Sequence, residues 1–262
     1  MKRAAIYVLI LAAVLFAAFP VFFMLVTSLK TRAMLYEPGM LLFQPTLDNY
    51  RVALEKYGLQ KYLLDSLIVS SANVLVCMVL GTISAYALYR FAIRHKDKLL
   101  FAILSSRIFP SIALVLPFYI MGLTLGVLDS YFILVVVFMV FNLPFVVLMM
   151  KSFFEAVPVE IEEAAMIDGA SRLQALYDVV LPQVKTGAFA TAVMCFTFAW
   201  NEFTYALFLT STNVNMIATA IVFFKTERGI LWGEVSALGI IAVAPIILMS
   251  FLTQKYIVKG MT

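Results

Sequence analysis

Charge is what this chain has least of. Only 13% of its 262 residues are Asp, Glu, Lys or Arg, while 64% are hydrophobic and the mean hydropathy is +1.01. A soluble domain carries roughly 25% charged residues. A chain this long with half that density has too little polar surface to cover a water-facing globule, so lipid must cover the rest. Histidine is limited to His95 and cysteine to Cys77 and Cys195, with no CxxC pair. A zinc site needs several such ligands close together, and none can be assembled here. A membrane-embedded hydrolase would need a base or metal ligands at membrane depth, and His95 sits in a basic loop. No GxxxxGK[ST] phosphate loop occurs, which excludes a nucleotide-driven motor within the chain. Low-complexity segments and clear internal repeats are also missing, so an inverted-repeat secondary transporter gains no support. The net charge of +4 does not indicate nucleic acid, because Lys and Arg are dispersed at the ends of apolar runs. Those are the usual flanks of membrane spans.

Six stretches are apolar for the ~20 residues that cross a bilayer: 5–28, 63–89, 99–121, 131–152, 187–209 and 237–256. The expectation is an all-α integral membrane protein with six transmembrane helices and a single transmembrane domain over 1–262. The first stretch follows Lys2 and Arg3, and Ala17-Ala18 could be read as a signal cleavage site. Its apolar run exceeds the usual 7–15 residues of a signal core, which favours a retained helix. The 90–98 loop holds Arg90, Arg94, Lys96 and Lys98, while the 122–130 loop holds no Lys or Arg. By the positive-inside rule the first is cytosolic and the second external. Both termini and the long 153–186 loop are then cytosolic, and loops 30–62 and 210–236 face outward. Pro20, Gly81, Pro110, Pro117, Pro144 and Pro245 interrupt the spans, either as ordinary kinks or as bends around a pathway.

The 157–187 segment reads VPVEIEEAAMIDGASRLQALYDVVLPQVKTG and has the form of two short helices joined by a tight turn. Pro158 fits the first helical position, and Glu160, Glu162 and Glu163 complement the helix dipole. Gly169 fits a left-handed C′ position. Ser171 and Gln174 have capping-box spacing for the second helix, and Pro182 is expected to end it. Ala164 and Ala165 would let another surface approach closely, and Val159, Ile161 and Ile167 are apolar in an otherwise polar stretch. Such a hairpin suits docking to a soluble partner. The competing picture, a helix pair lying on lipid, would favour Lys and Arg on the polar face, and this one is acidic.

Glu163-Ala164-Ala165, three residues, Gly169, nine residues, Val179, one residue and Leu181-Pro182 resemble the EAA loop of permease subunits of binding-protein-dependent ABC importers. The one departure is Val179, where isoleucine is usual. Asp168-Gly169-Ala170 matches the common continuation. Thr46-Leu47-Asp48-Asn49-Tyr50, Asn142-Leu143-Pro144-Phe145, Phe198-Ala199-Trp200-Asn201-Glu202-Phe203 and Lys259-Gly260-Met261-Thr262 resemble further segments of the carbohydrate-uptake class. That family's tail usually continues several residues further; a truncated tail and a member lacking the tail contact both stay open.

The resemblance implies the type I ABC importer permease fold and half of a translocation pathway for a sugar, in the cell (inner) membrane. It implies a second permease subunit, for which the carbohydrate class favours a different chain, an ATPase dimer and an extracytoplasmic sugar-binding protein. No cofactor would be bound by this chain, ATP and Mg being used by the partner ATPase. Glu163, Ala164, Ala165, Asp168, Gly169, Leu181 and Pro182 would couple to that ATPase. The alternative is a self-sufficient secondary transporter or channel.

Three polar features lie inside the apolar runs. Glu202 is about 15 residues, or roughly 22 Å, into the fifth stretch, flanked by Trp200 and Asn201. Ionisable groups at that depth face a bundle interior or a pathway. Trp200 with Asn201 could stack on and hydrogen-bond a sugar; alternatively Asn201 and Glu202 tie helices together, or Trp200 is an interfacial belt residue. Arg107 either snorkels towards the cytosol or pairs with an acid. Asn73 has the character of an interhelical hydrogen-bonding residue.

Overall fold

The computed structural model describes residues 2–36, 43–226 and 229–259, with the side chains of 2–4 and 252–259 excepted. The Gly260–Thr262 part of the tail motif lies outside the described residues. Eleven α-helices follow one another among them: α1 (Lys2–Ser28), α2 (Asp48–Arg51), α3 (Leu59–Arg90), α4 (Lys96–Ser105), α5 (Ser111–Thr124), α6 (Tyr131–Glu155), α7 (Val159–Ile167), α8 (Arg172–Gln174), α9 (Leu181–Trp200), α10 (Thr204–Leu209) and α11 (Trp232–Lys259). A two-stranded antiparallel ribbon joins β1 (Lys225–Thr226) to β2 (Gly229–Ile230), with Lys225 opposite Ile230. Five helices are long and apolar enough to cross a membrane, and a sixth span exists if the bent pair α4–α5 counts as one.

That bent pair departs from the uniform run expected over 99–121. α4 passes into a 3₁₀ turn at Ser106–Ile108, and α5 then leaves at 95°. Pro110, extended at φ −61° and ψ 136°, precedes α5 and marks the break. The fifth stretch also differs. Its helix starts earlier, continuous from Arg172 to Trp200, and breaks at 201–203 before α10. Pro182 does not end the second hairpin helix, contrary to expectation. Ala175–Val180 forms a π-helical turn, and Pro182 falls in the first turn of α9. Widening the ladder by one residue just upstream lets the missing N–H pass without a break.

The described residues fall into two units. In the first, 1–63 with 219–245, the Thr46–Tyr50 motif closes the end of α1. Asn49, buried, donates through Nδ2 to the carbonyls of Ser28 and Lys30, both at 2.8 Å. The Tyr50 hydroxyl lies 2.7 Å from the Ser28 hydroxyl. The last carbonyls of a helix have no intrahelical partner, and Asn49 supplies a donor there.

In the second unit, 64–218 with 246–262, α6 packs most extensively on α9. Gly187 permits this, since a Cβ there would stand 2.5 Å from the Phe153 ring. Cys77, Tyr86, Val146, Met150, Phe154 and Val184 form one buried cluster, and Val69, Leu134, Phe138, Tyr205 and Leu209 belong to a second. Asn142 donates to Asn73 Oδ1 at 2.6 Å, and Asn73 Nδ2 donates to the Val135 carbonyl at 2.9 Å. This amide pair braces α3 to α6 and satisfies polar groups that hydrocarbon would leave expensive. Pro144, inside α6, cannot bond the Val140 carbonyl, and the Ser106 hydroxyl, which donates to the Ile103 carbonyl at 2.8 Å, shares its proton with it at 3.2 Å.

Candidate functional site

The 157–187 hairpin is closed by local chemistry at each corner. Pro158 occupies the N-cap of α7 rather than its first turn. At the other end Gly169 takes φ 98°, its N–H donating to the Met166 carbonyl and that of Ala170 to the Ala165 carbonyl. These two bonds form a Schellman motif. A Cβ on Gly169 would meet nothing within 4 Å, so the backbone angle, not space, requires glycine. Ser171 and Gln174 then form both bonds of a capping box, at 3.4 and 2.8 Å.

The hairpin presents a mixed surface. Glu163, Ala164, Asp168 and Gly169 are exposed, Ala165 and Leu181 are half-buried, and Pro182 is exposed. Ile167 is 85% exposed, with Leu173 at 67% and Tyr177 at 56%. A carboxylate, a small-residue step and three large apolar groups thus share one exposed hairpin. Leu173 and Tyr177 were missed from sequence; Tyr177 lies within the π turn, where helical phase could not be read from spacing.

One acidic residue is not exposed. Glu162 is 1% exposed and turned inward onto Arg90 at the end of α3, with Nε and Oε2 2.6 Å apart. The Tyr86 hydroxyl donates to its other oxygen. Glu162 does lie in the first turn of α7, as expected, and the buried pair with Arg90 is a second role that the sequence did not announce. No local pattern announces its partner 72 positions upstream.

The Trp200–Glu202 group is divided by the break after α9. Trp200 is 1% exposed and stacked on Phe196 at 5.5 Å, so its indole is packed within the chain. Asn201 is exposed, its amide donating to the Thr197 carbonyl at 2.8 Å. Glu202 accepts the Tyr205 N–H at 3.0 Å and so caps α10. Of the three, only Asn201 is exposed. Arg107 pairs with no acid among the described residues; it lies over the rings of Phe145 and Phe198 at 5.4 and 5.6 Å.

A further feature, invisible in the sequence, holds the segment after α10. Asp129, at φ 54°, accepts the N–H groups of Ser211, Thr212, Asn213 and Val214 at 2.9–3.2 Å. Burial works against ionisation here, but the four donors outweigh it and hold the carboxyl well below the usual range. Asp65 accepts from Asn215 N–H at 2.8 Å and Ser66 from Ile217 N–H at 2.7 Å.

Residues 77–262 match the family described as binding-protein-dependent transport system inner membrane component. The chain belongs to this family. The permease is 36% identical over 225 residues to a probable ABC transporter permease of Sinorhizobium fredii, covering 86% of this chain and 81% of that protein. It is 33% identical over 261 residues to the trehalose/maltose transport system permease of Thermococcus litoralis, covering 97% and 94%. Among solved structures, a bacterial ABC transporter involved in import of the acidic polysaccharide alginate superposes with a TM-score of 0.79 at 23% identity, covering 97% of this chain and 96% of that one. The fold is therefore that of a type I ABC importer permease.

Proposed function

We infer that this permease is the transmembrane subunit of an ATP-driven sugar importer. It forms half of the translocation pathway and couples through the 157–187 hairpin to a separate ATPase that uses ATP and Mg. Glu163, Ala164, Ala165, Asp168 and Gly169 contribute to the docking face, and Leu181 and Pro182 seat its second helix. The observation that carries this is an exposed, firmly capped hairpin bearing a carboxylate, alanines and large apolar side chains. Exposed apolar groups grouped in this way mark an interaction surface, and the acidic flank disfavours a lipid face. Sugar as the cargo is supported by relatives such as the trehalose/maltose permease.

The remaining parts of the reading follow from charge and family. The hairpin and both termini are cytosolic, and loops 30–62, 122–130 and 210–236 are external. A second, different permease chain completes the pathway, and an extracytoplasmic binding protein delivers the sugar. The test is sugar uptake with partner permease, ATPase and binding protein co-expressed, comparing the intact chain with Gly169→Pro plus Glu163→Lys. Loss of uptake and of ATPase pull-down at normal membrane level is the expected result. Unchanged uptake and association would refute the docking assignment.

A further inference from the structure

Deepening the docking reading, on which it rests, we propose that Glu162, Arg90 and Tyr86 form the tie through which movement of α7 reaches the transmembrane helix α3. Adjacent residues on a helix point about 100° apart. Glu163 is exposed on the docking side, and Glu162 is buried against the last turn of α3. The two glutamates therefore face different sides of one helix: Glu163 the exposed docking side, Glu162 the membrane bundle.

The tie is made at several points. Arg90 Nε lies 2.6 Å from Glu162 Oε2, with side chains 3% and 2% exposed. Tyr86, one turn earlier on α3, donates its hydroxyl to Oε1. Arg90 Nη2 also reaches the Val157 carbonyl, at 3.4 Å, where the chain enters α7. On the second hairpin helix, Arg172 lies over the ring of Phe91 at 5.0 Å. Both hairpin helices thus grip the end of α3.

Stability is a poor explanation for this arrangement. A buried ion pair seldom stabilises more than well-packed apolar residues of the same volume. Arg90 Nη1 has no acceptor among the described residues, and the Nε–H is not aligned for a hydrogen bond to Oε2. What such a pair does is resist separation, because moving α7 away from α3 would leave two buried charges uncompensated. Pulled or pushed by its partner, α7 carries α3 with it.

The experiment uses Glu162→Gln, which keeps shape and removes charge, in the co-expressed transporter. Membrane level, ATPase pull-down, ATP hydrolysis and sugar uptake are measured together. The tie predicts normal membrane level and association, continued hydrolysis, and uptake per ATP reduced about tenfold. A paired variant, Arg90→Met with Glu162→Met, removes both charges without leaving one alone. The tie predicts that it reaches the membrane and still transports poorly. Unchanged uptake per ATP in Glu162→Gln, or restored uptake in the paired variant, would overturn the tie. So would loss of ATPase association at normal membrane level, since the pair would then only shape the docking face. If neither variant reaches the membrane, Tyr86→Phe, which keeps the ion pair, decides the matter: severalfold lower uptake per ATP supports the tie, and no change overturns it. The Gly169→Pro, Glu163→Lys variant run alongside tests docking itself, so the two claims fail separately.

Discussion

Gly169 holds the hairpin turn at φ 98°, a conformation that an L side chain adopts at a penalty of about 1–2 kcal/mol. Because nothing crowds the position, Gly169→Ala isolates that penalty. The expected outcome is a hairpin cleaved faster by limited proteolysis while membrane insertion stays normal. Asn142→Leu should act differently, leaving Asn73 Oδ1 with only the weak Cys77 S–H at 3.8 Å in place of its 2.6 Å amide donor. An unsatisfied buried polar group costs about 1–3 kcal/mol, readable as a lower melting temperature of the solubilised protein. At this scale the legibility of the sequence depended on range. Gly169, Ser171 and Gln174 act on neighbours within a few residues, so their roles could be read directly. Asn73 was legible as an interhelical residue because a polar amide in an apolar helix has few other uses. Glu162 and Trp200 were not, because burial depends on which distant helix is adjacent.

Helices and loops follow the same logic one level up. Apolar length marks where helices are, but hydropathy averages over bends, so the 95° turn between α4 and α5 could not be read from the uniform 99–121 run. The π turn at Ala175–Val180 similarly hid the continuity of the helix through Pro182. Pro182→Ala should therefore leave stability within about 1 kcal/mol, as checked by thermal melting; a large change would show that the proline does stop a helix. Asp129 organises the segment beyond α10 from a distance of more than 80 positions. Its carboxyl is held below its ordinary range, so its contribution is fully present above the unfolded value of about 4. It is lost as pH falls from there through the lower folded value. Hydrogen exchange of the 211–214 amides, corrected for intrinsic rate, should show protection unchanged from pH 7 to about 4 and falling below that. Asp129→Ala should remove the protection at every pH.

For the whole molecule, the scarcity of charge was the informative quantity. It requires lipid contact independently of any motif, and the apolar surface of α1 accords with that: residues 5–23 are all exposed within the chain. That surface is left for lipid or for other chains. Family membership likewise makes the permease one part of an assembly, and in the proposed function the hairpin is the part of it that receives force. The most direct test is site-specific photo-crosslinking from a single cysteine at Ile167, with the buried Cys77 and Cys195 replaced. A cysteine at Ile112, exposed on α5, serves as the control. The account predicts a covalent adduct with the co-expressed ATPase subunit from position 167 and none from position 112. An adduct from neither position, in a complex that still transports sugar, would contradict it.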